Sequence, residues 1–190
     1  EATCTINNDD DAPKLTLVKV VINDNGGTLS EEDVTLTATG PTSFNGAGPS
    51  VSNGASFDQG DYILSESPVP GYTASGWVCS NEDNDGTVSV GLGDDVTCTI
   101  TNDDNAPKLH LRKVVINDNG GNLGVADFTL YADGTGLNDF SGISPVDSGA
   151  NLQSDTFALS ETNTGGYIAS DWACVGGTQN GSNITVGIGE

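Results

Sequence analysis

Methionine is absent from the 190 residues, even at position 1, and no apolar run is long enough to span a bilayer or act as a secretory signal. The chain therefore reads as a processed or excised piece. Basic residues are scarce: five Lys and Arg stand against 27 Asp and Glu, a formal net charge of -22. A polyanion would be repelled by such a surface, which excludes nucleic acid as a partner. Only one histidine is present, His110, and no Ser/His/Asp grouping, CxxC pair or GK[ST] phosphate loop occurs, so the common hydrolase, zinc and nucleotide chemistries lack their parts. The chain is expected not to be an enzyme. No stretch carries a convincing helical period either.

What is abundant is turn chemistry. Glycine occurs 26 times, and Asp, Asn, Ser and Thr separate short apolar runs, the texture of an all-β fold. A chain of this length has room for one or two small domains with modest cores, and small domains need staples. The segment Asp11-Ala-Pro-Lys-Leu-Thr-Leu-Val-Lys-Val-Val-Ile-Asn-Asp-Asn-Gly-Gly27 returns as Asn105-Ala-Pro-Lys-Leu-His-Leu-Arg-Lys-Val-Val-Ile-Asn-Asp-Asn-Gly-Gly121. Farther on, Gly71-Tyr-Thr-Ala-Ser-Gly-Trp-Val-Cys79 returns as Gly166-Tyr-Ile-Ala-Ser-Asp-Trp-Ala-Cys174, and Leu64-Ser-Glu66 as Leu159-Ser-Glu161. Two homologous domains follow, both expected to be Greek-key β-sandwiches.

The repeat is out of phase with the chain ends. The first copy closes with Val96-Thr-Cys-Thr-Ile-Thr-Asn-Asp-Asp104, whereas the second stops at Ile184-Thr-Val-Gly-Ile-Gly-Glu190, before that strand. Its counterpart, Ala2-Thr-Cys-Thr-Ile-Asn-Asn-Asp-Asp10, stands at the other terminus. The expected division is residues 1–11 as a donor strand, 12–105 as the first sandwich and 106–190 as a second sandwich lacking its last strand. An incomplete sandwich exposes an edge and a core, so residues 1–10 of a neighbour are expected to complete it. The neighbour is either a second subunit or the continuation of one long polypeptide. Each gives a head-to-tail array, so the partner expected is the chain itself.

The four cysteines obey the same logic. Cys79 and Cys98 fall within the first copy and are expected to pair there, while Cys174 has its counterpart in Cys4 and is expected to bond it between successive units. Disulfides place the protein in an oxidising compartment, outside the cell or at its surface.

Strand parity puts polar residues inside. Lys19 shares a face with Leu15, Leu17 and Val21, and Lys113 does so with Leu109, Leu111 and Val115; His110 and Arg112 take the opposite face. Glu66 falls with Leu64, and Asn102 with Cys98 and Ile100. A Lys in the first strand, an acid in a Leu-Ser-Glu-x-x-x-Pro-Gly-Tyr segment and an Asn near the end of the last strand resemble the Cna-B-type, prealbumin-like domains of bacterial surface adhesins and pilus shafts. The resemblance implies an autocatalytic isopeptide bond between Lys and Asn with the acid as catalyst. Carried over, the sets are Lys19, Glu66 and Asn102, and Lys113, Glu161 and Asn8 of the following unit. A buried amine is a better nucleophile than an exposed one, and a protonated carboxyl can polarise the carboxamide. A plain ion pair between Lys and Glu is the alternative. In the second copy, Thr164-Gly-Gly166 replaces Val69-Pro-Gly71, a departure from the pattern.

The junction Asn102-Asp-Asp-Asn-Ala-Pro107, echoed by Asn8-Asp-Asp-Asp-Ala-Pro13, is similar to the Asp-rich linkers of cadherins that bind Ca²⁺. Candidate ligands are Asp103, Asp104, Asp9, Asp10, Asp24 and Asp118; the competing reading is a solvated acidic turn, and no cofactor is required. The sequence thus favours a structural repeat of an extracellular bacterial fibre, with a surface adhesin that binds a host protein or glycan through residues 41–51 and 132–145 as the rival.

Overall fold

A computed structural model describes residues 1–135 and 138–190. It divides into two compact units: Glu1–Ile22 with Leu29–Asp103, and Asn23–Thr28 with Asp104–Glu190. Apart from two single-turn 3₁₀ segments, Glu31–Asp33 and Val125–Asp127, the regular structure among the described residues is β.

The first unit holds nine strands: β1 (Lys14–Ile22), β2 (Thr35–Thr39), β3 (Phe44–Ala47), β4 (Ser50–Ser52), β5 (Gly60–Glu66), β6 (Tyr72–Ala74), β7 (Val78–Cys79), β8 (Thr87–Val90) and β9 (Asp95–Asp104). They form two layers. One sheet has the order β4-β1-β9-β6, with β7 also on β9, and the other the order β3-β2-β5-β8. Alternation explains the burial: Leu15, Leu17 and Lys19 of β1 point inward, as do Val96, Cys98, Ile100 and Asn102 of β9, while their neighbours face out or sit half-covered. Trp77 and Tyr62 fill the space between the layers, and the Tyr62 hydroxyl donates to the Asp58 carbonyl at 2.7 Å, so its polar end is satisfied.

The second unit repeats half of this plan closely. Its strands are β10 (His110–Leu111), β11 (Thr129–Asp133), β12 (Phe140–Ile143), β13 (Val146–Asp147), β14 (Asp155–Glu161), β15 (Thr178–Asn180) and β16 (Asn183–Val186). The sheet β12-β11-β14-β16-β15 is well formed, whereas the facing sheet is reduced to β10-β13. The cause is pairing. In the first unit β1 runs parallel to β9 over its whole length, Lys14 opposite Asp95 through Ile22 opposite Asp103. No strand lies along that side of β10 among the described residues, and the nearly identical sequence stays regular for only two residues. The apolar cost is visible: Val20 and Ile22 are 37% and 40% exposed, whereas their counterparts Val114 and Ile116 are 79% and 73% exposed. Residues 1–10 are exposed and form no regular structure.

The two segments read as loops for ligand recognition are in part strand. Residues 41–51 contain β3 and the start of β4, and 132–145 contain β12; Gly136 and Leu137 of the latter lie outside the described residues.

Candidate functional site

The first unit gathers three polar side chains in its core. The register places Lys19 opposite Ile100 and Val21 opposite Asn102, so Asn102 lies one diagonal step from Lys19 on the same inward face of the parallel pair. A diagonal neighbour is within reach of a long side chain. Glu66, at the end of β5, comes from the opposite sheet. Lys19 Nζ donates to Glu66 Oε2 at 2.6 Å, with the lysine side chain fully buried and the glutamate nearly so. Asn102 is 1% exposed, and its Oδ1 is buried without a hydrogen-bond partner. A carboxamide oxygen stripped of water and left unbonded costs about 1–3 kcal/mol. It stands as an acceptor ready for a proton or hydrogen bond from a neighbouring acid.

The second unit reproduces two of the three. Lys113 Nζ lies 2.6 Å from Glu161 Oε2, and 4.5 Å from the centre of the Phe128 ring, an arrangement that holds the cation in place. Asn8, the expected third member, sits in the exposed segment 1–10 and is not brought to this pair.

Cys79 and Cys98 form a disulfide between β7 and β9. Closing a loop of this length stabilises by about 3 kcal/mol. Cys4 is an exposed free thiol and Cys174 a partly covered one.

Along the open side of the second unit run two grooves. One, of about 540 Å³, is bounded by Leu109, Leu111, Trp172, Cys174 and Ile184. The other, of about 800 Å³, is bounded by Lys113, Val115, Phe128, Glu161 and Tyr167. Of these, Leu109, Leu111, Lys113 and Val115 are the counterparts of β1 residues that lie opposite β9 in the first unit, and the lysine, the acid and the free thiol all open onto the grooves.

The candidate calcium ligands come together only in part. Asp9 and Asp10 are in the exposed terminal segment, Asp103 is exposed at the end of β9, and the Asp118 carboxylate accepts from Asn119 Nδ2 at 2.6 Å. Asp104 is buried, and both of its oxygens accept backbone N–H groups of residues 24, 25 and 27. Asp24 has a carboxylate oxygen within 4.8 Å of it. His110, expected on the outward face, is exposed and meets Asp147 at 2.7 Å, as does Arg112. Hydrogen bonds from His110 and then Arg112 hold the Asp147 carboxyl below its ordinary range.

Residue-by-residue reading missed the tyrosines. Tyr72 and Tyr167 each accept a backbone N–H through the hydroxyl, from Leu29 and Leu123 respectively, both at 3.1 Å. The signal was present in the repeat, since both follow the glycines Gly71 and Gly166.

This architecture is that of a sandwich-type structural module, and comparison identifies it. The chain belongs to the prealbumin-like fold domain family, whose signature matches twice, over residues 10–100 and 104–190. Domains of this family occur in pilus and surface proteins and form a structural, typically non-enzymatic fold. No curated protein matches the chain. No helix among the described residues is long and apolar enough to cross a membrane.

Proposed function

We propose that the chain is a structural repeat of an extracellular bacterial surface fibre, in which a strand with the sequence of residues 1–10, from the next repeat of one polypeptide or from a second copy, completes the second unit. The observation that carries the reading is the contrast between the two units: β1 has a full-length parallel partner, β10 has none among the described residues, and residues 2–10 duplicate that partner except at Ala2 for Val96 and Asn7 for Thr101. A contact of this kind is heterologous and grows head to tail. Cys4 would then come to Cys174 as Cys98 comes to Cys79.

Within each completed unit the lysine and asparagine are joined covalently. Glu66 takes a proton from Lys19, the freed amine attacks the Asn102 carboxamide carbon while the protonated Glu66 bonds to the carboxamide oxygen, and Glu66 then gives its proton to the leaving nitrogen as ammonia departs and takes the second proton of the attacking nitrogen, ending protonated. One C–N bond forms, one breaks, and one ammonia is lost per amide. The buried Lys19–Glu66 contact and the unbonded Asn102 Oδ1 support this chemistry. The amide ties the first strand of the sandwich to the last, so tension entering at either end bypasses the hydrogen bonds between them.

Two measurements test the proposal. Negative-stain microscopy of purified chain at high concentration should show linear fibres, and dispersed monomers would overturn the assembly. Intact mass should fall short of the sequence by one ammonia beyond the disulfide, and Glu66→Ala should restore it; a full mass in the wild type would leave Lys19 and Glu66 as a buried ion pair.

A further inference from the structure

The Asn-Asp-Asn-Gly-Gly turn occurs twice, at residues 23–27 just after β1, which bears the buried Lys19, and at residues 117–121, four residues after the half-covered Lys113. A plain hairpin connection needs no such identity. The first copy does something definite: it wraps a carboxylate. The backbone N–H of Asp24 donates to Asp104 Oδ1 at 3.0 Å, that of Asn25 to both oxygens at 2.9 and 3.0 Å, and that of Gly27 to Oδ2 at 2.6 Å. Gly26, at φ 92°, takes the left-handed conformation that turns the neighbouring N–H groups to one side. Successive N–H groups aimed at one point form an anion-binding concavity, and bonds to an ionised acceptor are the strong ones.

The second copy has the same sequence and the same backbone sign, with Gly120 at φ 86°. It is also held ready. The Tyr167 hydroxyl donates to Asn117 Oδ1 at 2.6 Å, and Asn117 Nδ2 donates to the Leu123 carbonyl at 2.9 Å. Among the described residues, no carboxylate accepts from the N–H groups of Asp118, Asn119 and Gly121. The residue that corresponds to Asp104 in the duplicated strand is Asp10.

We infer that the 117–121 turn is a carboxylate receptor that seats Asp10 of a second copy and thereby fixes the register of the incoming strand. The inference rests on the strand exchange proposed above and adds its specificity. With Asp10 in the turn, the pairing of β1 with β9 carried over to β10 puts Asn8 opposite Val115 and Cys4 opposite Leu111. Asn8 is then one diagonal step from Lys113, and Cys4 lies on the Cys174 side of the groove. A slip of two residues keeps the same face inward and the same apolar alternation, but it moves Asn8 away from Lys113 and leaves the turn without its acid. The ligand class is an extended peptide ending in Asn-x-Asp, and Asp9, on the outward face, contributes nothing. Neutral N–H donors suit this task in a chain of net charge -22, because they bind an acid without presenting a cation to the rest of the acidic surface.

The test uses the full chain carrying Ile6→Asp, which disables its own donor segment at a residue that is exposed and outside the fold, and Glu161→Gln. With reducing buffer, these changes keep both cross-links from forming. A fluorescent peptide of residues 1–12 is titrated against it by anisotropy. The wild-type peptide should bind, Asp9→Asn should bind within about twofold of it, and Asp10→Asn should bind at least about tenfold more weakly. The amide protons of Asp118, Asn119 and Gly121 should move downfield with the wild-type peptide and not with Asp10→Asn. Equal affinity for the Asp10→Asn peptide would overturn the receptor while leaving strand exchange standing. Failure of every peptide to bind would overturn strand exchange, and the receptor with it.

Discussion

Replacing Lys19 by methionine keeps the side-chain length and removes the amine. The pair it breaks spans 2.6 Å, with the lysine side chain 0% and the glutamate 13% exposed. Removing one member of a pair so shielded costs about 3–5 kcal/mol, because the remaining charge is left buried and uncompensated. The natural control lies on the same strand. Lys14 pairs with Asp95 at 3.3 Å, but both side chains are more than half exposed, and such pairs are worth about 0–1 kcal/mol. In a Trp172→Phe background, Trp77 fluorescence reports the first unit through urea unfolding. Lys19→Met should lose about 3–5 kcal/mol, or more where the amide has formed, because the constraint on the unfolded chain disappears as well. Lys14→Met should lose about 0–1 kcal/mol. Adding Glu66→Gln to Lys19→Met should recover part of the ion-pair loss, since no charge then remains buried. Equal losses for the two lysines would refute the assignment of a buried, functional Lys19.

Three further outcomes follow from named contacts. Cys79→Ser should lower the urea stability of the first unit by about 3 kcal/mol under oxidising conditions, and the difference should vanish once the wild type is reduced. The Asp155 carboxyl is raised by burial, but hydrogen bonds from Asn138, Thr135 and Thr156 outweigh this and bring it down to about 2. A carboxylate held below its unfolded value contributes stability above that value and loses it as pH falls through about 2. Asp155→Asn should therefore cost about 1 kcal/mol at neutral pH after allowance for solvent screening, and progressively less as pH falls through about 2, by thermal melting across the pH range. Asp104→Asn should speed hydrogen exchange at the amides of Asn25 and Gly27 by about tenfold or more, while Asp103→Asn leaves them unchanged.

Much of this arrangement was legible because strands alternate. Parity alone put Lys19 and Asn102 on the inward faces of β1 and β9, and the phase of the repeat paired Cys79 with Cys98. Parity is silent on which strands become neighbours, so the parallel pairing of β1 with β9, which makes Lys19 and Asn102 diagonal partners, came only with the structure. The acidic residues were harder to read. Asp104 looks like a hard cation ligand in sequence, and the fold does keep Asp24 beside it; that it also accepts N–H donors whose direction depends on a left-handed glycine could not be read, because backbone direction has no letter in the sequence. The retained Asn-Asp-Asn-Gly-Gly in both copies was the available clue. The unequal order of the two units has a similar origin: residues 112–116 nearly repeat their counterparts in β1, yet strand formation depends on a partner and not on local preference alone.

The central claim is that the second unit is completed by a strand with the sequence of residues 1–10, which in assemblies of this chain comes from another copy. Equal amounts of chain uniformly labelled with ¹⁵N and unlabelled chain are mixed, allowed to assemble with oxidised glutathione as the disulfide oxidant, and digested without reduction. The account expects a cross-linked peptide pair joining Cys4 to Cys174 in which about half of the pairs combine one labelled and one unlabelled partner, the share that random partnering gives. Cys4–Cys174 pairs that are always of one isotope, or Cys174 remaining unlinked in assembled material, would contradict it.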